Sequence, residues 1–224
     1  SSSGSVGGGG GGGTSNENYP NIEIKEKYDL HIFKDKVTSY TFTNRSNPVV
    51  HVNITGNLSA GEVTTSVEVL RNTSSLVKTP APGSVYKNVN IWVGTSGFTN
   101  SKNIKEGVVA FRVLNSWLES NSLAGGEIKL VKWDGGSWVQ LETSQRNRDS
   151  TYTYFEAKTI TFGNLAITGL KGEAASTAKP DIETTEKPSV TQTIADKKNG
   201  IPGFELVLAA SALSAIYMFC RKRR

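Results

Sequence analysis

The chain has 224 residues, with 25 Lys and Arg against 20 Asp and Glu, a formal charge of +5. Four of those cations are the terminal Arg221, Lys222, Arg223 and Arg224; without them 21 basic residues face 20 acidic ones, so no basic face is left for a nucleic acid. A single cysteine (Cys220) excludes a disulfide within this chain, and two distant histidines (His31, His51) fall short of a zinc site, which needs about four close Cys or His ligands.

Residues 1–18 are Ser, Gly and Asn in the main, with an unbroken glycine run from Gly7 to Gly13. Glycine loses the most entropy on ordering and has no side chain to bury, so this stretch predicts a flexible linker. With no initiator Met and no apolar leader, the chain reads as a fragment or a processed product, with any secretory signal upstream.

From Tyr19 to Leu170 the sequence predicts a series of short strands separated by turn residues. It opens with Tyr19-Pro20 and the alternating Ile22 and Ile24, and continues with Val49–Ile54 and Val85–Val93, where Val89, Ile91 and Val93 alternate with polar residues. Gly107–Leu114 follows. Then Glu127–Trp133 and Trp138–Glu142 flank Asp134-Gly135-Gly136-Ser137, whose glycines suit the positive φ of a hairpin turn. Tyr152–Ala157 and Leu165–Thr168 end the series. Between them, Asn115–Asn121 predicts one helix of two turns or fewer, capped by Asn115 and Ser116 and burying Trp117 and Leu118. Without long amphipathic helices to cover a parallel sheet, the fold class expected is all-β: an antiparallel, immunoglobulin-like β-sandwich with one short helix.

After Leu170 the composition shifts. Residues 171–200 are rich in Thr, Ala, Lys, Glu and Pro without apolar periodicity, which predicts a stalk. Residues 201–224 hold Pro202-Gly203-Phe204, an apolar run to Cys220 and the basic end. A helix from Phe204 to Cys220 spans roughly 25 Å, slightly less than a hydrocarbon core. The run is terminal, preceded by a stalk and followed by four cations, so it predicts a C-terminal transmembrane helix. Arg221, Lys222, Arg223 and Arg224 would then act as the cytoplasmic stop-transfer and everything before the run would lie outside.

The order of these parts resembles the PGF-CTERM sorting signal of archaeal surface proteins, with Pro202, Gly203 and Phe204 matching its tripeptide. The resemblance implies an archaeosortase-type enzyme as a partner, and removal of the tail in exchange for a lipid anchor. Phe111-Arg112-Val113 with Ser116-Trp117-Leu118-Glu119, Lys132-Trp133-Asp134-Gly135 with Trp138, Tyr154-Phe155-Glu156-Ala157 and Ala166-Ile167-Thr168-Gly169 together resemble the PGF-pre-PGF domain found upstream of such signals. The resemblance covers about Asn21 to Leu170, and where that domain usually carries its own Pro-Gly-Phe this chain has Thr161-Phe162-Gly163. It implies an extracellular, structural or adhesive role, with no catalytic residues to carry over.

Within the predicted domain, Asn44, Asn53, Asn57 and Asn72 head Asn-X-Ser/Thr sequons and are candidate N-glycosylation acceptors. Trp92, Trp117, Trp133 and Trp138 are candidates for an aromatic face that binds a sugar or envelope polymer, with Trp133 and Trp138 as a cross-strand pair flanking the hairpin turn, set against the simpler reading as core or hairpin residues. No Gly-X-Ser-X-Gly elbow and no phosphate-binding loop is present. Asp134, Asp149 and Glu156 are best explained by a turn, a polar loop and an exposed strand face. The expectation is therefore a non-catalytic surface domain without cofactor or metal, with the membrane and envelope polymers or other surface proteins as partners. The alternatives are a carbohydrate-binding module and, behind it, an accessory domain of a surface hydrolase.

Overall fold

The computed structural model describes residues 16–172, within the first of the two units into which the chain divides, Ser1–Thr177 and Ala178–Arg224. The stalk, Pro202-Gly203-Phe204, the apolar run and the basic end lie outside the described residues. Among the described residues no helix is long and apolar enough to cross a membrane.

Eleven strands run in chain order: β1 Ile22–Ile32, β2 Val37–Thr41, β3 Val49–Gly56, β4 Gly61–Leu70, β5 Ser84–Val93, β6 Ile104–Leu114, β7 Ile128–Trp133, β8 Trp138–Gln140, β9 Thr143–Arg148, β10 Tyr152–Lys158 and β11 Gly163–Gly169. They form two antiparallel sheets, sheet A in the order β1-β4-β5-β11-β7-β8 and sheet B in the order β2-β3-β6-β10-β9. Among the described residues one short α-helix, α1, spans Asn115–Ser120 between β6 and β7.

The sheets meet face to face because alternate positions along each strand are apolar. Val52 and Ile54, Val109 and Phe111, and Phe155 from sheet B close on Val67 and Val69, Val89 and Ile91, and Leu165 and Ile167 from sheet A in one buried cluster. At its centre the Phe111 and Phe155 rings stack with centroids 5.3 Å apart. β11 and β7 are buried on both faces: Leu165, Ile167 and Leu130 face the core, while Ala166 and Val131 join Ala81 and Leu170 in a second cluster on the outer side. That is why Leu165–Thr168 reads as an unbroken buried run rather than an alternation.

Side chains close the seam between the sheets where the chain crosses from β1 to β2. The buried Tyr40 hydroxyl donates to the Val63 carbonyl at 2.7 Å, and Thr38 Oγ1 donates to the His31 carbonyl at 3.0 Å. Glu26 on β1 accepts the N–H groups of Thr43 and Asn44 and the Asn47 amide at 3.0, 3.2 and 2.8 Å. At the opposite seam Thr143 Oγ1 accepts from Leu130 N–H at 3.1 Å and donates to the Leu141 carbonyl at 2.9 Å.

The helix at Asn115 forms, but its expected cap does different work. Leu114 occupies the N-cap position without a side-chain bond. The Asn115 amide donates instead to the Asp149 carbonyl and its oxygen accepts from the Thr153 hydroxyl, both at 2.8 Å, which ties α1 to β10. The linker expected over 1–18 also ends sooner than its composition indicates, since Glu17 is only 7% exposed.

Removing a ring from the central stack leaves a void that neither sheet can collapse into. Phe155→Ala is expected to lower stability by about 3–5 kcal/mol, read as a shifted midpoint in urea denaturation with an unchanged slope.

Candidate functional site

The sequence-derived candidates do not converge. Asn44, Asn57 and Asn72 are exposed on three different loops, whereas Asn53 is half-buried in the middle of β3 between Ser39 and Val108. The Asn53 Oδ1 is enclosed there and has no hydrogen-bond partner. Asn44 closes its turn by accepting the Ser46 N–H at 2.9 Å. Asn57 spends its side-chain nitrogen on the Ser101 carbonyl at 2.7 Å.

Trp133 and Trp138 face each other across the β7–β8 hairpin, in register, with ring centroids 5.6 Å apart and edge to face. The turn between them has Gly135 at φ 100°, and Asp134 accepts the N–H groups of Gly136 and Ser137 at 2.9 and 2.7 Å. Those backbone donors hold the Asp134 carboxyl below the usual carboxylate range. Trp138 packs against the outer cluster and donates its indole N–H to the Thr79 carbonyl at 2.9 Å. Its ring therefore fastens the β4–β5 connection to sheet A. Asp149 is likewise held low by the N–H groups of Tyr152 and Thr151 and by the Tyr154 hydroxyl. Among the described residues no group of three or more His, Cys, Asp or Glu side chains is placed to hold a metal ion.

The most structured polar cluster lies elsewhere, on the outer face of sheet A beneath the β4–β5 connection. Along β4, Val63, Thr65, Val67 and Val69 point inward, so Ser66 and Glu68 point outward; along β5 the outward residues are Asn90 and Trp92. In an open sheet these would meet water, yet Glu68 and Asn90 are fully buried. Asn90 donates to Glu17 and Glu68 at 3.2 and 3.3 Å, Trp92 donates its indole N–H to Glu68 at 3.2 Å, and the Lys25 ammonium pairs with Glu68 at 2.9 Å. Glu17 also accepts from the hydroxyls of Ser74 and Ser75, the Ser75 N–H at 3.1 Å and the Asn21 amide at 3.1 Å. Burial pushes the Glu17 carboxyl up, but these donors outweigh it and bring it down to about 2.

Beside this cluster runs a groove of about 360 Å³. Leu76, Trp92 and Phe162 supply apolar wall, and Thr95, Ser96 and Thr99 of the β5–β6 loop supply polar rim. That loop is pinned at several points: Gly94 N–H to the Thr64 carbonyl at 2.7 Å, Asn100 to the Gly97 carbonyl at 2.7 Å and Asn103 to the Phe98 carbonyl at 2.8 Å. Sequence reasoning counts Trp92 among four candidate platform tryptophans but does not place it at this groove. The signal was available, because once Val89, Ile91 and Val93 face the core, period two puts Trp92 on the other side.

Comparison of the chain with protein-family models, with curated proteins and with solved structures returns no match in any of the three.

Loss of the Glu17 acceptor strands its donors under the β4–β5 connection. Glu17→Gln is expected to destabilise the domain by about 1.5–3 kcal/mol at neutral pH, measured by chemical denaturation. Because the folded carboxyl titrates near 2 and an unfolded one near 4.5, its contribution is full above the unfolded value. It fades as pH falls toward 2, so wild type and variant should converge in acid.

Proposed function

We propose that this chain is a non-catalytic cell-surface protein of an archaeon, a PGF-pre-PGF-type sandwich displayed outside the membrane through residues 201–224. The observation that carries the reading is the order of parts along the chain. The sandwich finishes with β11 at Gly169 and the buried Leu170, and the sequence from 171 turns at once to Thr, Lys, Glu and Pro. Pro202-Gly203-Phe204, an apolar run and Arg221, Lys222, Arg223 and Arg224 then close it. A cluster of cations directly after an apolar run favours the orientation with the sandwich outside. A tripeptide before such a run fits a signal whose hydrophobic tail delivers the chain and is then exchanged for a lipid, in the manner of other tail-removing anchors.

The partners on this reading are the membrane, an archaeosortase-type processing enzyme, and envelope polymers or other surface proteins. The immunoglobulin-like character expected of the sandwich belongs to the same proposal; two antiparallel sheets exchanging strands at both seams support it.

Mass spectrometry of C-terminal peptides from protein extracted from its native membranes tests the anchorage. Loss of residues 204–224 with a lipid-sized mass near Pro202 is the expected result. A peptide ending in Arg224 would instead make the tail a retained transmembrane helix, and recovery of the intact chain in the aqueous fraction would overturn surface anchorage.

Export would bring the sequons to a glycosylation machinery. A sugar on Asn53 would stand inside the face of sheet B, between the rows of Ser39 and Val108, whereas Asn44 and Asn72 are exposed on loops. Glycopeptide mapping is expected to find sugar on Asn44 or Asn72 and none on Asn53; occupancy of Asn53 alone would contradict this placement.

A further inference from the structure

We infer that the groove beside Trp92 is a binding site for a neutral saccharide, with a pyranose ring laid against the Trp92 side chain. The inference goes beyond the anchorage proposed above and does not depend on it.

Charge is the first ground. None of the residues lining the groove carries an ionisable charge. Glu68, which holds the Trp92 indole, is already spent: Trp92, Asn90 and Lys25 all bind it. An anionic or cationic ligand would leave water for a cleft that offers no counter-charge, at a net cost.

The second ground is the mixture of surfaces. A purely apolar ligand would bury the hydroxyls of Thr95, Ser96 and Thr99, none of which bonds to another group among the described residues. A sugar satisfies both halves. Its C–H face packs on aromatic rings, whose faces are electron-rich, and its equatorial hydroxyls exchange hydrogen bonds with the rim.

Third, the groove is pre-organised. The Trp92 indole is oriented by its bond to Glu68 at 3.2 Å, so the ring cannot swing to fill the cleft. Gly94, at φ 65°, brings the Phe98 ring against its own Cα and sets the direction of the rim. A Cβ at this position would lie 2.7 Å from the Phe98 ring. A ligand entering such a site orders little of the protein, which is the condition for weak but specific recognition. The volume is at the small end of the range for ligand sites and suits one or two sugar rings rather than an extended chain.

The test is an NMR titration of the full chain in detergent micelles with ¹⁵N-labelled tryptophan. Maltose, cellobiose and N,N′-diacetylchitobiose are the probes and digalacturonic acid the anionic control. The indole N–H of Trp92, assigned with Trp92→Phe, is expected to move saturably with at least one neutral probe, with a Kd of about 0.1–10 mM. Ser96→Trp, on an exposed loop, fills the cleft from the rim and should weaken that binding at least tenfold without changing the far-UV circular dichroism. No shift with any neutral probe would overturn the proposal. So would an equal response to digalacturonic acid, an undiminished shift in Ser96→Trp, or movement of the Trp133 and Trp138 signals in place of Trp92. Each of these outcomes is read on the sandwich and is separate from the mass of the C-terminal peptide.

Discussion

The outer face of sheet A depends on a carboxylate that lies within a segment whose composition reads as a linker. Glu17 takes donors from four residues in three segments: Asn21 of its own strand entry, Ser74 and Ser75 of the β4–β5 connection, and Asn90 of β5. Remove it and the connection loses its bonds at Ser74 and Ser75, while Asn164 on Ser74, Thr168 on the Pro82 carbonyl, Trp138 on the Thr79 carbonyl and the small cluster around Ala81 still hold it. A low pKa follows from the same fact, since several donors converging on a carboxylate stabilise its charged form more than partial burial penalises it. The arrangement also explains how Glu68 comes to be fully buried. With Lys25, Trp92 and Asn90 around it, its charge is compensated on the sheet, and the Glu17-held connection can cover it.

Much of the sandwich was legible from residue type. β5, β6, β10 and the β7–β8 hairpin were readable because one face of each strand is core, which prints an apolar period of two on the sequence. β9 was not. Its sequence, Thr-Ser-Gln-Arg-Asn-Arg, is exposed almost throughout and becomes a strand only because β10 offers it a ladder. That is a non-local cause no local window contains. β4 was missed for a different reason. Val63, Thr65, Val67 and Val69 alternate inward, but the buried outward Ser66 and Glu68 read as solvent-facing, and the strand looks merely polar. The burial of Glu68 belongs with the Glu17 cluster through Asn90, and composition assigns Glu17 to a linker.

The aromatic residues show the same division between local and distant causes. The Trp133–Trp138 pair was readable as a hairpin feature because two residues flanking a Gly-Gly turn must face each other. Where each ring then goes depends on what else is nearby. Trp138 lies against Val131, Ala166 and Ala81 and bonds to Thr79, so it covers the sheet. Trp117 sets its edge on Tyr86 at 5.0 Å between centroids. Trp92 has its indole N–H held by Glu68 and lines the uncharged groove, and that combination is the ground for the saccharide site proposed there.

Strand register adds a directional argument. Ile22 pairs with Leu70 at the end of β4, and Gly169 pairs with Ser84 at the start of β5, so the chain enters β1 and leaves β11 at the same end of sheet A. The opposite end holds Ile32 against Gly61 and Thr65 against Val93, and the Gly94–Thr99 rim follows directly from there. The groove rim and the route from Gly169 toward the C-terminus therefore occupy different ends of the sheet. On the proposed C-terminal anchorage, a saccharide can reach Trp92 without passing the point at which the chain leaves the sandwich. Anchorage and recognition then make no competing demands on the same loops, which leaves Ser96 and its neighbours open to change without disturbing β11 or Leu170.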